Sequence, residues 1–191
     1  MVGIDVSCEA LEHNALLDER IVADLQSFSP PARSYDVVVS WDVLEHLSDP
    51  MRAVGNLAQS VAPGGILVIG IPHVWSLKGL VTKLTPFWFH RFVYKYIFGI
   101  GEAGIEVGPF RTYLRLELAP VRVKSRIEGL GFETKVAVIY GSDALGELFG
   151  SRRWLAGLWR IGSRLTETVS LGRVHSKATE AAFVFERRIR S

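Results

Sequence analysis

The feature that most constrains this chain is a pair of short, wholly apolar runs separated by one helical pattern. Tyr35-Asp36-Val37-Val38-Val39-Ser40 is β-branched on both faces, and Ile66-Leu67-Val68-Ile69-Gly70-Ile71 is apolar throughout. A strand apolar on both faces has to be covered on both, which is the condition of a central strand in a parallel sheet. The residues between the two runs supply the crossover. Asp49 reads as an N-cap with Pro50 at the first helical position, and Met51, Val54, Leu57, Ala58 and Val61 recur on one helical face. Pro63-Gly64-Gly65 then turns the chain into the next strand, which Pro72 ends. The spacing predicts an open α/β sheet.

The flanking segments continue the pattern. Val2–Val6 reads as a strand, Ser7 as the cap of a helix running to about Leu17, and Ile21-Val22-Ala23 as a shorter strand ending at Asp24. Pro120 opens a helix with Val123, Ile127 and Leu130 on its apolar face, closed by Gly131. Phe132–Tyr140 and Thr179–Glu186 are further strands, and Asp143–Leu165 has a helical pattern interrupted by glycines. The 191 residues, 48% apolar and 22% charged, have ordinary globular composition. Cys8 is the only cysteine, so no internal disulfide can form. The first residues lack a secretory signal pattern and no run of 18 apolar residues occurs, so the expected address is the cytoplasm.

The net charge of +2 conceals an asymmetry. Residues 1–72 hold 3 basic side chains (Arg20, Arg33 and Arg52) against 10 acidic ones, whereas residues 73–191 hold 19 against 10. The break divides the chain into a strand-and-helix unit over 1–72, an irregular insertion over 73–118, and a closing helix with strands over 119–191. Within the insertion, the run from Phe87 to Phe98 interleaves seven aromatic residues with His90, Arg91 and Lys95. Such a run suits a core-packing lid, an apolar ligand or an anionic membrane surface. Arg153, Arg160 and Arg164 lie opposite Leu148, Leu155 and Leu158 in a second basic amphipathic segment. No nucleic-acid partner is expected.

Ligands of open α/β sheets bind beyond the carboxyl ends of the strands. Asp5, Asp24 and Asp42 fall there in order, where a carboxylate can accept ribose hydroxyls or an adenine amino group. Metal and nucleophile chemistry find no footing. His13, His46, His73, His90 and His175 show no ligand spacing, and Cys8 has no partner motif.

The run from Tyr35 to Leu47 (YDVVVSWDVLEHL), followed by Asp49-Pro50 and Ala62-Pro63-Gly64-Gly65-Ile66-Leu67-Val68-Ile69, closely resembles the class I S-adenosylmethionine (SAM)-dependent methyltransferases. Within them it resembles the branch that includes quinone and small-molecule methyltransferases. The resemblance implies a Rossmann-like sheet ending in an antiparallel strand pair, SAM as cofactor, and a small or lipid-like methyl acceptor. It also implies roles. Asp5 matches the ribose-gripping acid and Val6 the residue beside the adenine; Asp24 and Leu25 match the adenine pair. Ser40 and Trp41 match the strand end beneath the methionine portion. His46 falls where some members place a residue near the methyl group, against the plainer reading of a structural histidine. In Pro109–Arg115, Arg111, Tyr113 and Arg115 match a substrate-contact stretch, and residues 73–118 match a substrate lid.

One departure stands out. The family opens with a strand, a glycine-rich loop and a helix ahead of the Asp5 strand, and that first strand is central in its sheet. Gly99-Ile100-Gly101-Glu102-Ala103-Gly104 has similar glycine spacing but follows an aromatic segment rather than a strand. The expectation is an N-terminally truncated chain, weakly active or inactive. Either two strand edges lie open, or the Val2–Val6 strand slides over to pair with Tyr35–Ser40. Two rival readings remain: a nucleotide-dependent reductase fragment, which lacks a Tyr-x-x-x-Lys pair, and a non-catalytic module of the same fold that binds a partner or a membrane edge.

Overall fold

In a computed structural model of the chain, residues 1–76, 115–141 and 178–189 are described continuously, together with single residues between 85 and 96 and between 157 and 168. The order is β1 (Val2–Asp5), α1 (Cys8–Glu12), β2 (Glu19–Val22), β3 (Tyr35–Trp41), a 3₁₀ turn (Leu44–His46), α2 (Pro50–Ser60), β4 (Val61–Pro72), a second 3₁₀ turn (Leu116–Leu118), α3 (Pro120–Gly129), β5 (Phe132–Tyr140) and β6 (Glu180–Arg187).

The strands form two sheets. β1 pairs with β2 in parallel, and the other four run in the order β3-β4-β6-β5. β3 and β4 are parallel, as predicted, but β3 lies at the edge of its sheet rather than at the centre, with Val37 and Val39 58% and 60% exposed on the uncovered face; β6 lies antiparallel to both β4 and β5. This is the expected parallel sheet with an antiparallel pair at its end. Of the two outcomes foreseen for the Val2–Val6 strand, the one observed among the described residues is the open edges: there β1 pairs only with β2, and β3 only with β4.

The core lies on one face of the larger sheet. Leu67, Ile69 and Ile71 of β4 and Ala181, Phe183 and Phe185 of β6 point to α2 and α3, which contribute Ala53, Val54, Leu57, Ala58, Val123 and Ile127. The caps read from sequence form as expected. The Asp49 carboxylate accepts the Arg52 amide at 3.1 Å, with Pro50 opening α2. Gly131 follows α3 with φ at 92°, a conformation open to glycine at little cost. Arg187 ties β6 to the end of α2, where its Nη1 donates to the carbonyls of Ala58 and Val61, each at 2.8 Å.

Two boundaries differ from expectation. α1 ends at Glu12 rather than near Leu17, because the Asn14 side chain accepts the Leu16 amide and Arg20 donates to the carbonyls of Leu11 and Asn14. Those bonds take the groups a longer helix would need. β4 starts at Val61 rather than Ile66, because Tyr35 already pairs there ahead of an irregularity in the ladder. The helical pattern at Asp143–Leu165 and the run 87–98 fall almost wholly outside the described residues.

Candidate cofactor cleft

The carboxyl ends of β1, β2 and β3 carry the sequence-derived site residues. Asp5 closes β1 opposite Val22, and its carbonyl accepts the Ala23 amide at 2.9 Å, so Asp5 and Asp24 stand at adjoining strand ends. One Asp5 carboxylate oxygen accepts the Ser7 amide at 2.8 Å; the other has no protein partner among the described residues. The Asp5 side chain is exposed, and so is neighbouring Val6.

Asp24 is held more tightly. It accepts the Gln26 amide at 2.9 Å and the Gln26 side-chain amide on both oxygens at 3.0 and 3.1 Å. The Gln26 backbone bond first, then its side-chain bonds and the Arg52 charge, hold the Asp24 carboxyl below the usual carboxylate range. Gln26 also reaches across to the larger sheet. Its Oε1 accepts from the Ser48 hydroxyl at 2.8 Å and the Asp49 amide at 2.7 Å. Asn56 of α2 completes this joint, donating to the carbonyls of Leu25 at 2.8 Å and Phe28 at 3.0 Å. No sequence motif flagged Gln26 or Asn56; the only signal was a glutamine two residues after an aspartate, a spacing that favours a local turn.

At the end of β3 the two adjacent candidates part. Ser40 faces the helices, is 5% exposed, and its hydroxyl has no hydrogen-bond partner. Trp41 faces the opposite, open side and is 47% exposed. Its indole lies on Gly70, the paired residue of β4; a Cβ there would stand 2.7 Å from Trp41 Cε3. Asp42 follows with φ at 52°, a left-handed conformation that costs a non-glycine residue on the order of 1 kcal/mol and is best tolerated by Asp and Asn. In the next turn Glu45 is buried, with its carboxylate 3.9 Å from Nε2 of the one-third-exposed His46.

On the acceptor side, Arg115 is exposed just before the second 3₁₀ turn, while Arg111 and Tyr113 lie outside the described residues. Of the aromatic-basic run, the Phe92 and Tyr96 rings meet at a tilt of 42° with centroids 4.9 Å apart, and Lys95 Nζ stands 5.5 Å from the Tyr96 ring centroid. Among the described residues, no helix is long and apolar enough to cross a membrane and no His, Cys, Asp and Glu group could hold a metal ion.

A parallel α/β sheet with its polar groups at the strand carboxyl ends and an antiparallel strand pair at one side is the Rossmann-like fold of the class I methyltransferases. Solved structures agree. The chain is similar to a SAM-dependent methyltransferase from Archaeoglobus fulgidus, with TM-score 0.56 and 15% identity over 97% of this chain and 75% of that one. It is equally similar to a putative methyltransferase from Bacillus halodurans, with TM-score 0.56 and 15% identity over 98% and 83% of the two chains. A SAM-dependent methyltransferase from Mesorhizobium loti aligns with TM-score 0.53 and 16% identity over 97% and 80%. No curated protein matches the sequence. Residues 1–95, just under half of the chain, match the family described as Methyltransferase domain.

Proposed function

We propose that the cleft at the carboxyl ends of β1, β2 and β3 binds SAM and that the protein transfers its methyl group to a small or lipid-like acceptor. The observation that carries this reading is the order of polar groups at the carboxyl ends of the strands of both sheets: Asp5 with an uncommitted oxygen and Asp24 beside it on the smaller, and the unpartnered Ser40 hydroxyl on β3 of the larger. A buried hydroxyl without a partner costs about 1–3 kcal/mol, and a bound ligand that met it would recover part of that.

Asp5 would accept the ribose hydroxyls, with Val6 against the adenine. Asp24 would offer its remaining acceptor capacity to the adenine amino group, and Leu25 its backbone edge. Ser40 and Trp41 would bound the methionine portion. Bound SAM supplies an electrophilic methyl on a sulfonium, so the protein's task is alignment and exclusion of water. His46, with the Glu45 carboxylate beside it, would take a proton where the acceptor must lose one. Arg111, Tyr113 and Arg115 would face the acceptor, and the aromatic-basic run 87–98 would bring the site to an anionic membrane surface.

A second reading, a non-catalytic module, is favoured by the open edges of β1 and β3. Titration calorimetry with SAM separates the readings. Binding that Asp5→Ala weakens about tenfold supports the cofactor cleft, the change expected for about 1.4 kcal/mol of lost ribose contact. No binding by the native chain, or binding indifferent to Asp5, overturns it.

A further inference from the structure

The open face of the larger sheet carries a second constellation at its carboxyl end, which the cofactor cleft does not use in full. The register aligns Trp41, Gly70, Ala182 and Val138 in one row across β3, β4, β6 and β5, with Glu180 and Tyr140 paired in the row beyond. Glycine and alanine on the two middle strands leave a low floor. On one side Trp41 lies flat over Gly70 with its outer face half exposed; on the other, Tyr140 is 37% exposed. Both ends of the trough are acidic, with Asp42 beside Trp41 and Glu180 beside Tyr140. Partial burial first, then the nearby Glu180 and Asp42 carboxylates, push the Tyr140 phenol above its ordinary range. Both carboxylates therefore act on the same small region.

An electron-rich ring on each wall, a shallow floor of Gly70, Ala182 and Pro72 and two carboxylates make a poor seat for an anion and a good one for a soft cation. Three strand steps of about 4.8 Å put β3 and β5 roughly 14 Å apart, and the indole leans inward over Gly70. Two rings that share a cation stand at most about 12 Å apart, since each lies within about 6 Å of it. With the indole seated over Gly70, one strand in from β3, two strand steps and the two-residue offset of Tyr140 remain, about 12 Å in all and at that limit.

We propose that this trough binds the ammonium head of an amine or methylated-amine acceptor. The proposal rests on the methyltransferase reading above but concerns a different ligand, so the two can fail separately. The rings supply cation–π attraction that a neutral group of equal shape would not receive, and Asp42 and Glu180 supply a charge term that salt screens.

The probe is choline, set against its uncharged isostere 3,3-dimethylbutan-1-ol, with the 191-residue chain labelled for nuclear magnetic resonance. The Trp41 indole N–H signal is assigned as the one missing from Trp41→Phe. Choline is expected to shift that signal saturably at millimolar concentration, with the isostere at least about tenfold weaker. Glu180→Gln should weaken choline several-fold and Tyr140→Leu at least as much, both with unchanged circular dichroism. Gly70→Ala, which drives a methyl into the indole, should move the signal in the free protein and abolish the choline shift. The other onium source is the sulfonium of SAM itself, so the titration is repeated with S-adenosylhomocysteine present. Choline binding that survives there supports an acceptor subsite. Equal response to choline and the isostere, a choline shift untouched by Glu180→Gln and Tyr140→Leu, or no shift at all overturns the proposal. It is also overturned if Tyr140→Leu weakens SAM but not S-adenosylhomocysteine while choline is ignored, since the trough then reads the cofactor's sulfonium.

Discussion

Asn56→Ala tests how the two sheets are held together. Among the described residues no strand ladder joins β1–β2 to β3–β4–β6–β5; side-chain hydrogen bonds do. Asn56 Nδ2 donates to Leu25 O at 2.8 Å and Phe28 O at 3.0 Å, in a half-buried setting. At about 0.5–1.5 kcal/mol net for each bond, the alanine variant should lose about 1–3 kcal/mol. The loss should be local, because the ladder of the larger sheet and its packing on α2 and α3 are untouched. Hydrogen exchange read by mass spectrometry gives the test. Amides of β1 and β2 should exchange roughly 5- to 150-fold faster, the factor corresponding to that energy, while those of β4 and β6 hold their rates. Asn56→Asp should be worse, since it sets a carboxylate against two carbonyl oxygens. A uniform acceleration across both sheets, or none in β1 and β2, would refute the view that Asn56 is a hinge pin between them.

Arg187→Met should cost about 2–3 kcal/mol in urea denaturation, because a charged donor leaves two carbonyls at the end of α2, with Arg187→Lys intermediate; a loss under about 0.5 kcal/mol would refute it. Gly131→Ala forces a Cβ into φ of 92° and should lose on the order of 1–2 kcal/mol, visible as a lower denaturation midpoint at unchanged slope. Asp24 has its folded-state pKa depressed by Gln26, so its stabilising contribution is present above the unfolded value of about 3.9 and is lost as pH falls through the lower folded value. Acid titration of Asp24→Asn should therefore show a shallower loss of stability below pH 4 than the native chain.

The larger sheet was legible because its signals are local and redundant. Tyr35–Ser40 and Ile66–Ile71 are apolar on both faces, Asp49-Pro50 caps a helix whose apolar face repeats, and Gly131 marks a left-handed turn. Each depends only on neighbours a few residues away. Strand ends placed Asp5, Asp24 and Trp41 for the same reason. What sequence could not show depends on contacts distant along the chain. Gln26 meets Ser48 and Asp49, Asn56 meets Leu25 and Phe28, and Arg187 reaches Ala58 across more than a hundred residues. Gly70 passes for one more residue of an apolar strand until the register sets Trp41 beside it. The early end of α1 belongs to the same class, since Arg20 claims carbonyls that a helical pattern assigns to the helix itself.

The joint between the sheets also sets what a cofactor should do to this chain. Asp5 and Asp24 stand on the smaller sheet, Ser40 and Trp41 on the larger, so a ligand meeting all four spans a boundary that Gln26, Asn56 and the core-packed Leu25 also cross. Its binding energy then depends on the two sheets being correctly set, and by linkage it must resist their separation. A ligand at 100 times its dissociation constant adds about 2.7 kcal/mol to any opening that destroys its site. Saturating SAM should therefore slow exchange in β1 and β2 by about a hundredfold, and should rescue Asn56→Ala toward native rates at higher ligand concentration. Protection confined to the larger sheet, with β1 and β2 exchanging as before, would mean that the ligand does not bridge the two and that Asp5 and Asp24 do not hold it.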